Sequence, residues 1–362
     1  MKNIMFLFLA LILSSCNSSS SNKDQSPEQS IKSLQQKNGL PGFGAASIVN
    51  GEIEVNTAGV RRIEFPAPLI STDSFHLGSC SKAMTATLAA ILIEEGHLNW
   101  NSKLTDLLPN ITIHPDFQNL TFEMLLAHRS GIIQDGPSSF PNDWLFKALQ
   151  NPSVTTVEAK LLYAKNVLTR KPQSTPGSKF NYHNGGYIVA GHIMEQLTGQ
   201  SWETLMQEKL FDPLGMKTCG TGPTWGHYKN GSTTYSVKAD NPPAYSPAAG
   251  IHCSMEDWGK FLTEHLKGEG IVRAASFNKL HTVAANDGSN YTYGGWIKVQ
   301  LDWASGPVLT HNGSNSWNYA QVWIAPTENS IFMLGANIGG NEAVNAINDG
   351  LAGMIKFLYT RY

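Results

Sequence analysis

Charge, cysteine and long apolar runs are all scarce in this sequence, and each shortage removes a class of protein. Only 15% of the 362 residues are charged and the formal net charge is −2. With no basic block, neither nucleic acid nor an acidic membrane surface is implied as a partner. There are 4 cysteines, and no two form a Cys-x-x-Cys pair. That argues against a disulfide framework and against a structural zinc site. The chain also lacks a Gly-x-Ser-x-Gly elbow, a His-Glu-x-x-His helix and a Gly-x-x-x-x-Gly-Lys loop. The residues therefore imply no metal and no organic cofactor.

The run Ile4 to Leu13 is ten residues of apolar side chains behind Lys2. Too short to span a bilayer, it reads as the core of a secretory signal over residues 1–15. Leu13-Ser14-Ser15-Cys16 resembles a bacterial lipobox, which makes Cys16 the expected site of lipidation and the chain a membrane-anchored, exported lipoprotein. The polar, serine-rich residues 16–30 read as its tether. Of the other cysteines, Cys80 reads as a small buried hydrophobe. Cys219 and Cys253 are free to pair in an oxidising compartment, and the sequence leaves that open.

One stretch carries a nucleophile pattern. Phe75 to Met84 includes Ser79-Cys80-Ser81-Lys82, followed by Thr85 to Glu95, apolar almost all the way round, and by the helix stop Gly96. A helix of that composition is buried on every side. Lys82 falls one turn along from Ser79 on the same face. A hydroxyl needs a base, and burial with a helix N-terminus disfavours the ammonium form of a lysine. Ser20 to Lys23 and Ser276 to Lys279 match the same spacing, but neither opens a buried helix.

Around that centre the chain divides by character. Helical spacing covers Pro27 to Lys37; Phe43 to Asn50 and Glu52 to Gly59 read as a hairpin about Asn50-Gly51. Helices are predicted at Leu104–Leu108, Phe122–Ala127, Asp143–Leu149, Val157–Leu168, Tyr187–Leu197, Trp202–Leu210 and Ser254–Leu266. Gly220 to Pro247 has no clear period and reads as a long functional loop. Strands return in Tyr291–Gln300, Val308–His311, Trp317–Ile324 and Ile331–Ala336, before a last helix, Glu342–Tyr359. The simplest packing is one sheet built from both chain ends with a helical lobe inserted.

Two more polar sets complete the pattern. Tyr182-x-Asn184 precedes a predicted helix, and a phenol beside a lysine is expected to have its pKa lowered far enough to relay protons. His311-Asn312-Gly313-Ser314 ends a strand, where a glycine admits a substrate carbonyl close to the backbone and the N–H groups of Ser79 and Ser314 suit an oxyanion. Taken singly these patterns are weak: Tyr228 to Asn230, His76 to Gly78 and His183 to Gly185 match them too.

Together, and in this order, Ser79-x-x-Lys82, Tyr182-x-Asn184 and His311-x-Gly313 resemble the serine β-lactamase and penicillin-binding protein superfamily, in the class C β-lactamase, DD-peptidase and esterase branch. Leu125 to Ile132, Pro176 to Phe180, Phe211 to Met216 and Ala248 to Ile251 resemble further segments of that branch, so the likeness spans roughly Gly39 to Gly353. It implies an α/β (α+β) fold: an antiparallel sheet from both chain ends flanked by helices, with a mostly helical lobe. Lobe boundaries are expected at about 31–78 with 285–362, and 79–284. It implies Ser79 acylated, Lys82 and Tyr182 sharing the proton work, and Asn184, His311, Gly313 and Ser314 binding substrate. His311 departs from the lysine usual in β-lactamases of the branch, which weakens the case for that activity. The expected protein is an exported serine hydrolase, a monomer, acting on a D-amino-acid peptide or small ester. The alternatives are a genuine β-lactamase and a non-catalytic binding lipoprotein.

Overall fold

Two stretches far apart in the chain build one sheet. Strands β1 (Gly42–Val49) and β2 (Glu52–Gly59) turn about Asn50-Gly51, where both residues take positive φ, 52° and 87°. This is the tight turn that Asn-Gly favours, because glycine carries no Cβ penalty there and asparagine a small one. From the other end come β8 (Ile297–Leu301), β9 (Gly306–Ser314), β10 (Tyr319–Ala325) and β11 (Ser330–Ala336). They form a six-stranded antiparallel sheet in the order β2-β1-β11-β10-β9-β8. This computed structural model describes residues 26–133 and 153–361. The predicted leader, Cys16, most of the tether and the predicted helix Asp143–Leu149 lie outside them.

The side-chain alternation of the strands makes two cores. On one face Phe43, Ala45, Phe332 and Leu334 pack with Ile31 of α1 (Pro27–Lys37) and with Ala346, Ile347 and Leu351 of the C-terminal helix Asn341–Arg361. On the other face Ala46, Ile48, Ile331 and Met333 join a larger cluster that includes the helical part of the chain. The register is fixed by pairs such as Ile48↔Ile331, and a slip of one residue would exchange the two faces. The fold is therefore the expected α/β (α+β) arrangement, an antiparallel sheet from both ends flanked by helices.

Helix α2 (Ser81–Glu94) runs through the larger core with every residue from Ser81 to Leu92 buried, as an all-round apolar segment requires. It begins later than the sequence suggested: Ser79 sits in a 3₁₀ turn, Gly78–Cys80, that leads into it. Helix α3 (Thr156–Leu168) starts on a capping box between Thr155 and Glu158. Helix α4 (Gly185–Thr198) ends at Gly199, whose φ of 71° is the left-handed conformation that closes helices. Helix α5 (Met255–Lys267) lies against the sheet through Gly259, where a Cβ would press on Ile48.

One expectation fails here. The predicted long loop Gly220 to Pro247 contains β4 (Gly220–Thr221) and a hairpin of β5 (Thr224–Asn230) and β6 (Thr233–Ala239). Gly231 opens its turn at φ 62°. The same glycine density that suggested a loop supplies the turn, while Thr233 to Val237 supplies β-formers. A short helix, Ala274–Leu280, carries the Ser276 to Lys279 match. The small sheet β3-β7-β4 joins β3 (Phe75–His76) and β4 through β7 (Ile251–Cys253), and the Cys219–Cys253 disulfide ties β7 to the residue before β4. Cys80 is a free, buried thiol. Among the described residues no helix is long and apolar enough to cross a membrane.

Candidate active site

The turn that carries Ser79 is held between two backbones. Gly78 has φ 51°, and a Cβ on it would overlap the nitrogen of Ser314; a Cβ on Gly313 would overlap the Leu77 carbonyl oxygen and the Ser79 nitrogen. Both glycines are therefore required by contact, and the end of β9 lies directly on the turn that carries Ser79. The ladder between β8 and β9 runs only from Gly306 to Thr310. Beyond it His311, Asn312, Gly313 and Ser314 have no β8 partner, which leaves that side of β9 to face the turn. The Ser314 hydroxyl is spent on the Asn318 carbonyl, at 2.7 Å.

Lys82 is fully buried, and its Nζ reaches three oxygens: Ser79 Oγ at 3.1 Å, Asn184 Oδ1 at 2.8 Å and the Ala248 carbonyl at 2.9 Å. Two of these are obligate acceptors, whereas the Ser79 hydroxyl can also donate. An ammonium donates one N–H to each of the three; once it has lost a proton, its lone pair can meet the Ser79 hydroxyl while Asn184 and Ala248 keep the other two N–H groups. Asn184 is the N-cap residue of α4, yet its side chain makes no cap hydrogen bond. An asparagine at that position ordinarily serves the helix; here its oxygen serves Lys82 instead.

Tyr182 hydrogen-bonds the Ser79 side chain, and its ring lies 4.9 Å from Lys82 Nζ. The expectation of a lowered phenol pKa is overturned. Burial dominates and pushes the Tyr182 hydroxyl upward, with the Ser79 hydrogen bond opposing it only in part. Tyr182 thus stands in the site as a proton-bearing phenol rather than a phenolate.

His311 is nearly fully buried, with Nδ1 2.6 Å from the Asn312 carbonyl oxygen. A carbonyl only accepts, so Nδ1 carries the proton and Nε2 is left as a lone pair; it is buried and has no hydrogen-bond partner among the described residues. Burial, then the charge of Lys82, hold the imidazole pKa down at about 3. His183 is held down at about 4 by the same two causes. Its Nδ1 accepts from the Gly186 N–H and its Nε2 meets the Ser130 hydroxyl at 3.1 Å, so it caps α4 in place of Asn184. His128 has φ 57°, and its carbonyl accepts from the Asn181 N–H at 2.9 Å, fixing the segment that presents Tyr182.

A family model described as beta-lactamase matches residues 28–353. The chain belongs to the beta-lactamase family. Penicillin-binding protein 4 of Amycolatopsis lactamdurans is 24% identical over 336 residues, 86% of this chain and 84% of that protein. Among solved structures, the octameric penicillin-binding protein homologue from Pyrococcus abyssi superposes with a TM-score of 0.77 at 22% identity, covering 91% of this chain and 77% of that one. The D-amino acid amidase from Ochrobactrum anthropi SV3 gives 0.75 at 19% identity, covering 93% and 99%. These structural likenesses show a shared fold.

Within this beta-lactamase-family chain, Ser79, Lys82, Tyr182 and Asn184 meet through hydrogen bonds. Gly313 and Ser314 join them through the backbone, and His311 stands with its ring 6.2 Å from that of Tyr182. Sequence reasoning missed the Ala248 carbonyl, which no side-chain pattern announces. It also missed His128 and His183, although both fall in segments that resemble the family. A separate groove, lined by Ile31, Leu34, Ala45, Phe332 and Met354, lies between α1, the sheet and the C-terminal helix and shares none of these residues.

Proposed function

We propose that this chain is an exported serine hydrolase that cleaves an amide or ester through an acyl-enzyme on Ser79. The observation that carries the reading is Lys82: a fully buried amine 3.1 Å from the Ser79 hydroxyl, with its other donors taken by Asn184 and Ala248. In this reading Lys82, in its neutral form, accepts the Ser79 proton as Oγ bonds the substrate carbonyl carbon. The N–H groups of Ser79 and Ser314 receive the developing oxyanion. As the bond to the leaving nitrogen or oxygen breaks, Tyr182 passes its proton to that atom and is resupplied from Lys82. Water then attacks the ester carbon, its proton passes through the same pair, and Ser79 regains its hydrogen.

The substrate side of the reading rests on His311. A neutral ring whose Nε2 only accepts suits an N–H donor and gives a carboxylate nothing to bind. We therefore assign a D-amino-acid peptide or amide, or a small ester, and place β-lactams second. The name of the D-amino acid amidase, whose fold this chain shares, is in keeping with that class. The Cys219–Cys253 bond supports export, since such bonds persist in oxidising compartments.

The test is intact-mass spectrometry after a fluorophosphonate, with an ester, a D-Ala-D-Ala peptide and a cephalosporin as substrates. One adduct on the wild type and none on Ser79→Ala is expected. Labelling or turnover that survives in Ser79→Ala ends the reading; a cephalosporin cleaved faster than the ester would instead favour a β-lactamase.

A further inference from the structure

His76, two residues before Gly78, makes contacts that the reaction described above does not use. Its side chain is fully buried, and its Nε2 lies 2.8 Å from Asp240 Oδ1. On its other side, Nδ1 lies 3.1 Å from the Gly78 nitrogen. A carboxylate accepts, so the ring proton belongs on Nε2; a backbone N–H donates, so Nδ1 must be the lone pair. Both demands select one tautomer. Asp240 therefore sets the imidazole in the state that grips Gly78.

Gly78 is where that grip has consequence. Its left-handed φ of 51° is unfavourable for most residues, and its Cα faces the Ser314 nitrogen closely enough that no Cβ fits. The two N–H groups assigned to the oxyanion belong to Ser79, the next residue, and to Ser314, the residue it abuts. A turn that relaxes by a few tenths of an ångström moves both. Asp240 also lies one residue past β6, and its neighbour Asn241 donates through Nδ2 to the Ala249 carbonyl at 2.9 Å. The adjacent carbonyl, Ala248, is the one that receives Lys82. The exit of the β5–β6 hairpin thus reaches the nucleophile turn through His76 on one side and the residue next to the partner of the base on the other.

We propose that His76 and Asp240 are positioning residues for acylation: Asp240 fixes the His76 tautomer, and His76 Nδ1 holds the Gly78 N–H so that the Ser79 and Ser314 amides converge. The proposal rests on Ser79 being the nucleophile. Failure of that assignment would show separately, as activity surviving Ser79→Ala.

Three side chains separate the two ends of the imidazole. His76→Asn keeps an acceptor near the Nδ1 position and loses the reach to Asp240. His76→Gln keeps a donor near Nε2 and loses the acceptor for Gly78. His76→Phe loses both. The expected result is a kcat for ester hydrolysis lower by about 10- to 100-fold in His76→Gln and His76→Phe, the scale of a misplaced catalytic geometry, with KM little changed. His76→Asn should recover most of that loss. Asp240→Ala, at a partly exposed side chain less prone to unfold the protein, should lower kcat in the same direction, and Asp240→Asn, which keeps an acceptor, should lower it less. Thermal midpoints and the single-turnover rate of fluorophosphonate labelling are read on each variant. The proposal is overturned if His76→Gln labels as fast as wild type. Equal losses in His76→Asn and His76→Gln that track their thermal midpoints overturn it too, because that pattern belongs to a buried side chain with only a packing role.

Discussion

At the scale of single residues, the site turns on which groups are charged. Tyr182 and His311 both sit near a lysine, and in both cases burial decides the outcome: the phenol keeps its proton and the imidazole refuses a second one. His311 stands where β-lactamases of the branch carry a lysine, which is a donor; with Nδ1 committed to Asn312, its other nitrogen is an acceptor. This sharpens the outcome expected for His311→Lys. An ammonium there meets repulsion from Lys82 and should lower kcat/KM for a neutral ester and a cephalosporin alike. A carboxylate-bearing substrate recovers part of that loss through a charge-assisted hydrogen bond of about 1.5–3 kcal/mol. The ratio of the two kcat/KM values should therefore move about ten- to a hundredfold toward the cephalosporin. The measurement is both constants at fixed pH and salt. If the ratio stays put, His311 does not read substrate charge, and the argument against β-lactams loses its support.

At the scale of elements, legibility followed how local the cause was. The Asn50-Gly51 hairpin, the all-round apolar α2 and the Gly199 helix stop each have their reason within a few residues, and each formed close to where the sequence placed it. The β5–β6 hairpin has an equally local signal at Asn230-Gly231, but the Gly, Pro and Tyr around it suggest a loop just as well. What could not be read is tertiary: the Ala248 carbonyl beneath Lys82, the helix cap given over to His183, and the pairing of Cys219 with Cys253. That pairing yields an element-scale prediction. The disulfide joins positions 34 residues apart and ties β7, the centre strand of the small sheet that carries His76, to the residue before β4. Constraining a loop of that length is worth about 3–4 kcal/mol in the unfolded chain. A Cys219→Ser, Cys253→Ser protein should show a lower urea midpoint with a slope somewhat steeper than the wild type's, because the unfolded chain without the cross-link exposes more surface. Alkylation of the unfolded protein purified from its host, its Cys16 carrying the expected lipid, should find a single free thiol, Cys80. Three free thiols would remove both the bond and the support it gives to export.

At the scale of the whole molecule, the chain carries an unusual load of buried neutral imidazoles. His128, His183, His265, His281 and His311 all have pKa values driven down, with burial the largest cause in each; His183 and His281 stand at about 4 and His311 at about 3. In the unfolded chain each titrates near 6.5. Between the folded and unfolded values the unfolded chain binds protons that the folded chain does not, so stability falls as pH falls across that window. Each group contributes a slope of up to about 1.4 kcal/mol per pH unit. The carboxylates act with the same sign but lower: Asp287 is held at about 2 by its Arg129 hydrogen bond, and its linkage opens only below its ordinary value of 3.8. The interval from about pH 6.5 to 4.5 therefore belongs to the histidines. The urea midpoint should drop steadily from pH 7 to pH 5, well before the carboxylates titrate. His265 and His281 give a control away from Ser79, since their rings hydrogen-bond each other at 2.9 Å. In His281→Gln the starting stability should be lower, yet the slope over that interval should flatten by up to about 1.4 kcal/mol per pH unit. A midpoint that stays level from pH 7 to 5, or a slope in His281→Gln equal to that of the wild type, would show that these rings take up protons without unfolding the protein.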